Sequence, residues 1–244
     1  MKPLTGLGTI VLLVSLTAAA HAQEFAEERA EMVETIERHA ERVPRALEGG
    51  DIDPEILRVM RVIPRHEFIP EDERGLAYED RPVPIGYGQT ISQPFIVALM
   101  TDLLDVEPGD TVLEIGTGSG YQAAVLSPLV DEMRTIEIVP ELGERASQVL
   151  EELDYENVET KITDGYYGWP EAAPFDGIVV TAAASHIPRP LVEQLKVGGR
   201  MVIPIGGPFA AQQLMLVEKQ EDGSVTTNQL LPVQFVPFTR ANER

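Results

Sequence analysis

The sequence VLEIGTGSG, at residues 112–120, decides how the rest of the chain is interpreted. An apolar run at 111–115 has the composition of a buried strand, three glycines follow at alternate positions, and residues 121–129 have a helix-like pattern. A strand, a glycine turn and a helix in this order bring a nucleotide-like ligand against bare backbone. A tight turn that needs glycine only for its dihedral angles gives the same pattern, so the surrounding residues must separate the two interpretations.

The spacing of the glycines favours one class of ligand. A dinucleotide-binding G-x-G-x-x-G turn would have its third glycine where this chain has Tyr121, whereas here Gly116 and Gly118 are followed by Gly120. Glu114, just before the turn, suits a cationic ligand such as S-adenosylmethionine, which has an ammonium and a sulfonium group, and would repel a pyrophosphate. We therefore expect an S-adenosylmethionine site in preference to a nicotinamide site.

Strand-like and helix-like segments alternate after residue 111. This alternation predicts a parallel, doubly wound sheet, and the turn at 221–224 predicts antiparallel strands after it. We therefore expect an α/β fold with a mostly parallel, Rossmann-like sheet, N-terminal helices and a C-terminal antiparallel addition. The predicted strands are 111–115, 134–139, 158–162, 177–181, 200–205, 213–218 and 230–235, with helices at 121–129, 142–153 and 190–194.

The region before the sheet is predicted to be helical and then irregular. Apolar residues recur at helical spacing over 23–47, and Asp53 and Pro54 are typical of the start of a second helix. Residues 65–88 are rich in proline, glycine and charge, which predicts a long loop of the kind that often carries function. We therefore divide the mature chain into N-terminal helices with a substrate loop, at 23–88, and a domain at 89–244 that carries the expected S-adenosylmethionine site.

Residues 1–22 have the composition of an export signal. Lys2 gives a positive start, residues 7–20 are apolar, and Ala20-His21-Ala22 is a small-x-small cleavage pattern. We expect cleavage before Gln23 and a periplasmic or secreted protein without a membrane anchor, because the apolar run is too short to span a bilayer. The alternative is an N-terminal helix that is retained in a cytoplasmic protein. S-adenosylmethionine is made in the cytoplasm.

The charge balance excludes several classes of partner. The chain has 244 residues with 40 acidic and 19 basic side chains, for a net charge of −21. We expect such a chain to avoid nucleic acid and anionic membranes. We also expect a monomer, although neither the charge nor the sequence pattern establishes the oligomeric state. There is no cysteine, and the four histidines lack metal-ligand spacing, so we expect neither thiolate catalysis nor a metal site.

Further polar residues are predicted at the carboxyl edge of the sheet, where open α/β sheets bind ligands. Glu137 is expected to accept hydrogen bonds from ribose hydroxyls, and the alternative for this residue is a solvated charge at a strand end. Asp164 and Gly165 are expected to contact the adenine, and the alternative for this pair is an ordinary Asp-Gly turn. Ser92, just before Pro94, is expected to cap a helix, which is compatible with a hydroxyl that orients a substrate. A serine nucleophile is not expected, because no G-x-S-x-G surrounds it.

With these motifs the chain resembles the protein-L-isoaspartate O-methyltransferases, from PRHEFIP at 64–70 to FVPF at 235–238. The most specific segments are PIGYGQTISQP at 84–94 and the glycine turn, with APFD at 173–176 and QLKVGG at 194–199. The resemblance implies that Ser92 is the active-site residue and that Thr239 closes over the site. The expected cofactor-binding residues are Thr90, Ile91, Glu114, Gly116, Thr117, Gly118, Gly120, Glu137, Ile138, Asp164, Gly165 and Thr239.

The resemblance also implies a repair activity on proteins and peptides that contain isoaspartyl linkages. Their free carboxylate would be methylated from S-adenosylmethionine while Ser92 holds it and the backbone of 84–89 grips the peptide. A carboxylate is ionised at neutral pH, so the reaction needs no general base. The alternatives are an exported small-molecule O- or N-methyltransferase, a non-catalytic peptide-binding homologue and, least favoured by the glycine spacing, a nicotinamide dehydrogenase.

Overall fold

The computed structural model describes residues 25–43, 50–207 and 211–241, so the expected export signal lies outside the described residues. The helices are α1 Ala26–Ala40, α2 Pro54–Val62, α3 Pro94–Leu104, α4 Tyr121–Leu126, α5 Pro140–Glu152 and α6 Arg189–Gln194. The strands are β1 Val83–Gly86, β2 Gln89–Ile91, β3 Thr111–Ile115, β4 Glu132–Glu137, β5 Val158–Ile162, β6 Phe175–Val180, β7 Leu195–Ile205, β8 Gln212–Lys219 and β9 Val225–Val233. None of the helices in these ranges is long and apolar enough to span a bilayer.

Seven strands form the central sheet, in the order β5-β4-β3-β6-β7-β8-β9. Neighbours from β5 to β7 are parallel, and β8 and β9 are antiparallel additions. This arrangement confirms the predicted fold class. The chain runs outward from β3 to β5 and returns on the other side of β3 as β6, so the strand order reverses between β3 and β6. In open α/β sheets, ligands bind at the carboxyl ends of the strands next to such a reversal.

The central strands β3, β4 and β6 are mostly buried because layers cover both faces of the sheet. Val112 and Val179 belong to a core shared with α1 to α4, whereas Leu113 and Ile178 belong to a second core with Leu191 of α6. The N-terminal helices therefore pack on the same core as the sheet. The boundary expected between residues 88 and 89 lies in the turn that joins β1 to β2, which pair in an antiparallel hairpin.

Two helix starts test the capping predictions. Asp53 caps α2 as expected, since its carboxylate accepts a hydrogen bond from Glu55 N at 2.7 Å. The expectation that Ser92 caps α3 is wrong, because the N-cap residue is Gln93 and its side chain makes no capping bond. The carboxylate of Asp80 accepts from Phe95 N at 2.9 Å instead, so Ser92 is released from a capping role.

The predicted boundaries fail where the chain is polar or rich in proline. Residues 65–88 are not a simple loop: they contain 3-10 helices at Arg65–Phe68 and Glu71–Leu76, and then β1. The sequence pattern does not predict β1 because the strand contains Pro84, and proline within sheets is typical only of edge strands. The last strand was predicted at 230–235 but is β9, at Val225–Val233, and its first half is an exposed sheet edge without an apolar signal.

Candidate active site

The turn after β3 has backbone angles that favour glycine. Gly116, Gly118 and Gly120 have φ angles of +99°, +54° and +90°. The amide of Gly116 donates to Ile136 O at 2.8 Å, which binds the turn to the end of β4. A Cβ atom on Gly116 would lie 2.4 Å from Thr181 Oγ1, directly after β6. The first glycine is therefore required for the close approach of the two strand ends.

Glu137, the last residue of β4, organises the same turn. Its Oε2 accepts from Gly118 N at 2.7 Å, and its Oε1 accepts from Ile138 N and Val139 N at 2.9 Å each. The side chain is buried, which rules out the alternative of a solvated charge. These bonds use both lone pairs of Oε1 and one of Oε2, so one lone pair of Oε2 is left for a ligand. Glu137 is thus placed to accept from a ligand, and the ribose contact stays a prediction.

Glu114 is fully buried next to this turn. Its Oε2 accepts a hydrogen bond from Thr135 Oγ1 at 2.6 Å, whereas its Oε1 has no hydrogen-bond partner among the described residues. Burial raises the pKa of Glu114 to about 8, a shift that the Thr135 bond opposes and the charge of Glu137 increases. A buried carboxylate oxygen without a donor is costly. The site therefore fits a ligand that brings a cationic N–H group, such as the ammonium of S-adenosylmethionine.

A cavity opens at this edge of the sheet, between the ends of β3, β4 and β6. Gly120 is not part of its lining, because this glycine faces Ala146 and Leu150 of α5. Asp164 is not part of it either: its carboxylate binds the Arg240 guanidinium, with Nε at 3.0 Å. The other predicted residues line the cavity, namely Thr90, Ile91, Ser92, Glu114, Gly116, Thr117, Gly118, Glu137, Ile138, Gly165 and Thr239. Within the described ranges, no cluster of acidic and histidine side chains could hold a metal ion.

Ser92 lies where this cavity meets a second, neighbouring groove. Four residues line both spaces: Thr90, Ser92, Thr181 and Val236. The Ser92 backbone carbonyl accepts a hydrogen bond at 2.7 Å from Arg65. Within the described part of the chain, no hydrogen bond involves its hydroxyl. The hydroxyl is therefore available to a substrate at the boundary between the two spaces.

Arg65 is a site residue that the sequence did not predict. Its side chain is completely buried, and it donates to Ala77 O and Ser92 O, each at 2.7 Å. Its guanidinium carbon lies 4.6 Å from the centre of the Tyr121 ring. Burial lowers the pKa of Arg65 to about 10, so the group is still a cation at neutral pH. Arg65 thereby fixes the backbone that carries Ser92 against the helix that follows the glycine turn.

The C-terminal segment after β9 forms part of the cavity wall, through residues 236–239. Ala183 N donates to Val236 O at 2.8 Å, and Phe238 N donates to Ala183 O at 2.9 Å. These bonds attach the segment to the chain just beyond β6 and place Thr239 on the cavity wall. The closing role that the family resemblance implies for Thr239 stays a prediction.

The parallel sheet, the glycine turn at the reversal of strand order and the unsatisfied buried carboxylate beside it define the class of the protein. They are the features of a Rossmann-like methyltransferase site, which holds a cationic methyl donor at the carboxyl edge of the sheet. Ser92 lies between this cavity and a separate groove.

Comparisons with known proteins narrow the class. A model of the protein-L-isoaspartate(D-aspartate) O-methyltransferase family matches residues 44–243. Protein-L-isoaspartate O-methyltransferase 2 of Syntrophobacter fumaroxidans is 55% identical over 239 residues, which cover 96% of this chain and 97% of the relative. Protein-L-isoaspartate O-methyltransferase 1 of Cupriavidus necator is 58% identical over 229 residues, which cover 94% of this chain and 88% of the relative. The chain belongs to the protein-L-isoaspartate(D-aspartate) O-methyltransferase family, which confirms the resemblance found in its sequence.

Solved structures agree with this assignment. A protein-L-isoaspartate O-methyltransferase superposes with a TM-score of 0.77 at 29% identity, over 88% of this chain and 67% of the other. A Plasmodium falciparum protein of the same name, solved in complex with S-adenosyl-L-homocysteine, superposes with a TM-score of 0.70 at 24% identity, over 86% and 97%. The second structure shows the shared fold.

Proposed function

We propose that this chain transfers a methyl group from S-adenosylmethionine to the free carboxylate of L-isoaspartyl residues in damaged proteins, the first step of their repair. The observation that carries the proposal is the position of Ser92, which lies between a cavity suited to the donor and a groove open to an acceptor. Among the described residues its hydroxyl has no hydrogen-bond partner. Membership of the family supports the same activity.

The donor end of the site consists of acidic side chains and bare backbone. S-adenosylmethionine supplies an electrophilic methyl group on a positively charged sulfur. Glu114 offers an unpaired carboxylate oxygen to its ammonium group, and Glu137 holds the turn at Gly118 while offering further acceptor capacity. Glycines along the turn let a ligand approach the main chain closely. The residues present therefore fit this cofactor.

The acceptor end needs little chemistry beyond alignment. An isoaspartyl carboxylate is ionised near neutral pH, so its oxygen can form the new bond to the methyl carbon without a general base. The bond between that carbon and the sulfur breaks at the same time, and the sulfur leaves as the neutral thioether of S-adenosylhomocysteine. Ser92 donates a hydrogen bond to the second oxygen and fixes the direction of the first. Bringing two reactants into line in a closed site is worth several kcal/mol of barrier on its own. This explains why no histidine or cysteine lines the described cavity.

The alternatives are less consistent with the site. A small-molecule methyltransferase would need an acceptor space that closes around its substrate. The groove beside Ser92 is instead lined by Phe95 and by six consecutive residues, 231–236, and this elongated wall suits an extended peptide. A non-catalytic homologue has no need of Glu114, whose burial without a partner on one oxygen costs stability.

The test is methyl transfer from tritiated S-adenosylmethionine to an isoaspartyl peptide and to its aspartyl twin of identical sequence. We expect base-labile methyl ester on the isoaspartyl peptide alone. Equal labelling of both peptides, or labelling of neither together with methylation of a metabolite panel, would refute the proposed substrate.

We also propose that the chain is exported and works as a monomer. The charge and apolar pattern of residues 1–22 support export, and the strong negative charge opposes self-association. Cell fractionation with sequencing of the mature N-terminus tests the first statement, and a start other than Gln23 or a cytoplasmic location would contradict it. Sedimentation equilibrium tests the second.

A further inference from the structure

The groove beyond Ser92 differs in charge from the rest of the protein. Two basic side chains, His39 and Arg42, line it, and no acidic side chain of the described residues does. The whole chain has 40 acidic against 19 basic residues, so a groove without carboxylates runs against the composition. An anionic acceptor would therefore meet favourable charge here and repulsion over most of the remaining surface.

His39 lies in the last turn of α1 and Arg42 lies two residues beyond its end, and both precede the region matched by the family model. The ring of His39 packs edge-on against Phe95, with centroids 5.3 Å apart. Its Nδ1 lies 2.5 Å from Asp80 Oδ2, and the other oxygen of Asp80 accepts from Phe95 N. His39 and Asp80 thus anchor the end of α1 at the start of α3, close in sequence to Ser92.

Arg42 follows one turn later and continues the helix end, since its amide donates to His39 O at 3.0 Å. Its side chain is exposed, and among the described residues no ion pair or side-chain hydrogen bond involves its guanidinium. Arg38, within α1, instead donates to Glu34 O and Thr35 Oγ1 and does not line the groove. Among the described residues, Arg42 is therefore a cation without a charge partner at the wall of the groove.

We propose that Arg42 determines specificity for the acceptor and selects isoaspartyl peptides that carry an acidic side chain close to the isoaspartyl residue. The inference rests on the proposed function, because it assumes that the isoaspartyl carboxylate lies at Ser92. A peptide so placed extends into the groove that Ser92 shares with Phe95 and Arg42. An acidic flanking side chain then pairs with Arg42, whereas a neutral one gains nothing from it.

The experiment compares two isoaspartyl peptides of equal length that differ only by Glu or Gln next to the isoaspartyl residue. For the unmodified protein we expect a KM about three- to fivefold lower for the Glu peptide, the size of an exposed ion pair, with equal kcat. Arg42→Gln should abolish this preference and Arg42→Glu should invert it. Arg38→Gln, which makes the same charge change within α1 and away from the groove, should retain it. The preference should shrink in high salt.

The affinities of the two peptides are also measured by fluorescence anisotropy with S-adenosylhomocysteine present, so the preference is read without turnover. Equal affinities for the unmodified protein, or an equal loss for both peptides in Arg42→Gln, would overturn the inference. In that case methylation of both isoaspartyl peptides, but not of their aspartyl twins, would leave the proposed function standing. The affinity for S-adenosylhomocysteine should be the same in every variant.

Discussion

The burial of Glu114 predicts that cofactor binding is coupled to release of a proton. The pKa of Glu114, raised by burial to about 8, keeps the carboxyl protonated at neutral pH before a ligand binds. A ligand ammonium favours the ionised form, because its N–H groups can satisfy the unpaired Oε1. Binding therefore has to remove a proton from most of the molecules.

The size of the coupling follows from the pKa. At pH 7 a carboxyl with a pKa of about 8 is ionised in about one molecule in ten. The apparent affinity is reduced by that fraction, which is about tenfold, or roughly 1.4 kcal/mol. Below pH 7 the dissociation constant should rise by nearly a factor of ten per pH unit, and close to one proton should be released for each ligand bound.

Calorimetric titration with S-adenosylhomocysteine between about pH 5.5 and 7, below the range in which an α-amino group titrates, measures both quantities. Repeating it in buffers of different ionisation enthalpy gives the proton count. In Glu114→Gln the slope and the proton release should disappear, and the affinity at pH 7 should fall by at least about tenfold because the charge partner is lost. Glu107→Gln, an exposed change of the same kind, should behave like the unmodified protein.

The same group contributes to the pH dependence of folding. The folded-state pKa of Glu114 is raised above its ordinary value of 4.5, so its contribution to stability is complete below about pH 4.5 and is lost as the pH rises through about 8. The stability of the ligand-free protein relative to Glu114→Gln should therefore fall over that interval.

The binding experiment decides whether this reasoning holds. An affinity for S-adenosylhomocysteine that does not depend on pH in the unmodified protein, without proton release, would refute it.

Three further substitutions test other parts of the site. Ser92→Ala removes one hydrogen bond to the acceptor and should lower kcat/KM for an isoaspartyl peptide about tenfold, with unchanged affinity for S-adenosylhomocysteine; unaltered turnover would exclude the role. Gly116→Ala places a Cβ against Thr181 at a positive φ, so it should lower the free energy of unfolding in urea by roughly 1–3 kcal/mol and should also weaken cofactor binding. In the control Gly75→Ala the new Cβ meets open space, so the loss of stability should be much smaller. Equal losses in the two variants would contradict the account. Arg65→Met leaves the carbonyls of Ala77 and Ser92 without their donor and should cost about 2–4 kcal/mol; a stability within experimental error of the unmodified protein would show that the buried cation is dispensable.

The sequence predicted those parts of the site that follow a strand directly. Gly116, Gly118 and Glu114 are adjacent to β3, and Glu137 ends β4, so the position of each follows from the topology alone. A parallel sheet brings the carboxyl ends of its strands to one edge. Once the alternation of strands and helices is recognised, these residues have to meet.

Residues that act over long separations could not be found in this way. Arg65 is held by carbonyls 12 and 27 positions further on, and Arg240 pairs with Asp164 across 76 positions. No periodicity in the sequence links such pairs, and the sequence does not distinguish a buried arginine from a solvated one. The capping error at Ser92 has a similar cause, because the acceptor that replaces it comes from Asp80, on another segment.

The most direct test of the account is a crystal structure with S-adenosylhomocysteine and a short isoaspartyl peptide bound together. The account predicts that the isoaspartyl carboxylate lies within hydrogen-bond distance of Ser92 Oγ, with the ligand ammonium at Glu114 and the peptide along the groove beside Phe95. A carboxylate bound elsewhere, or a peptide that leaves this groove empty, would contradict it.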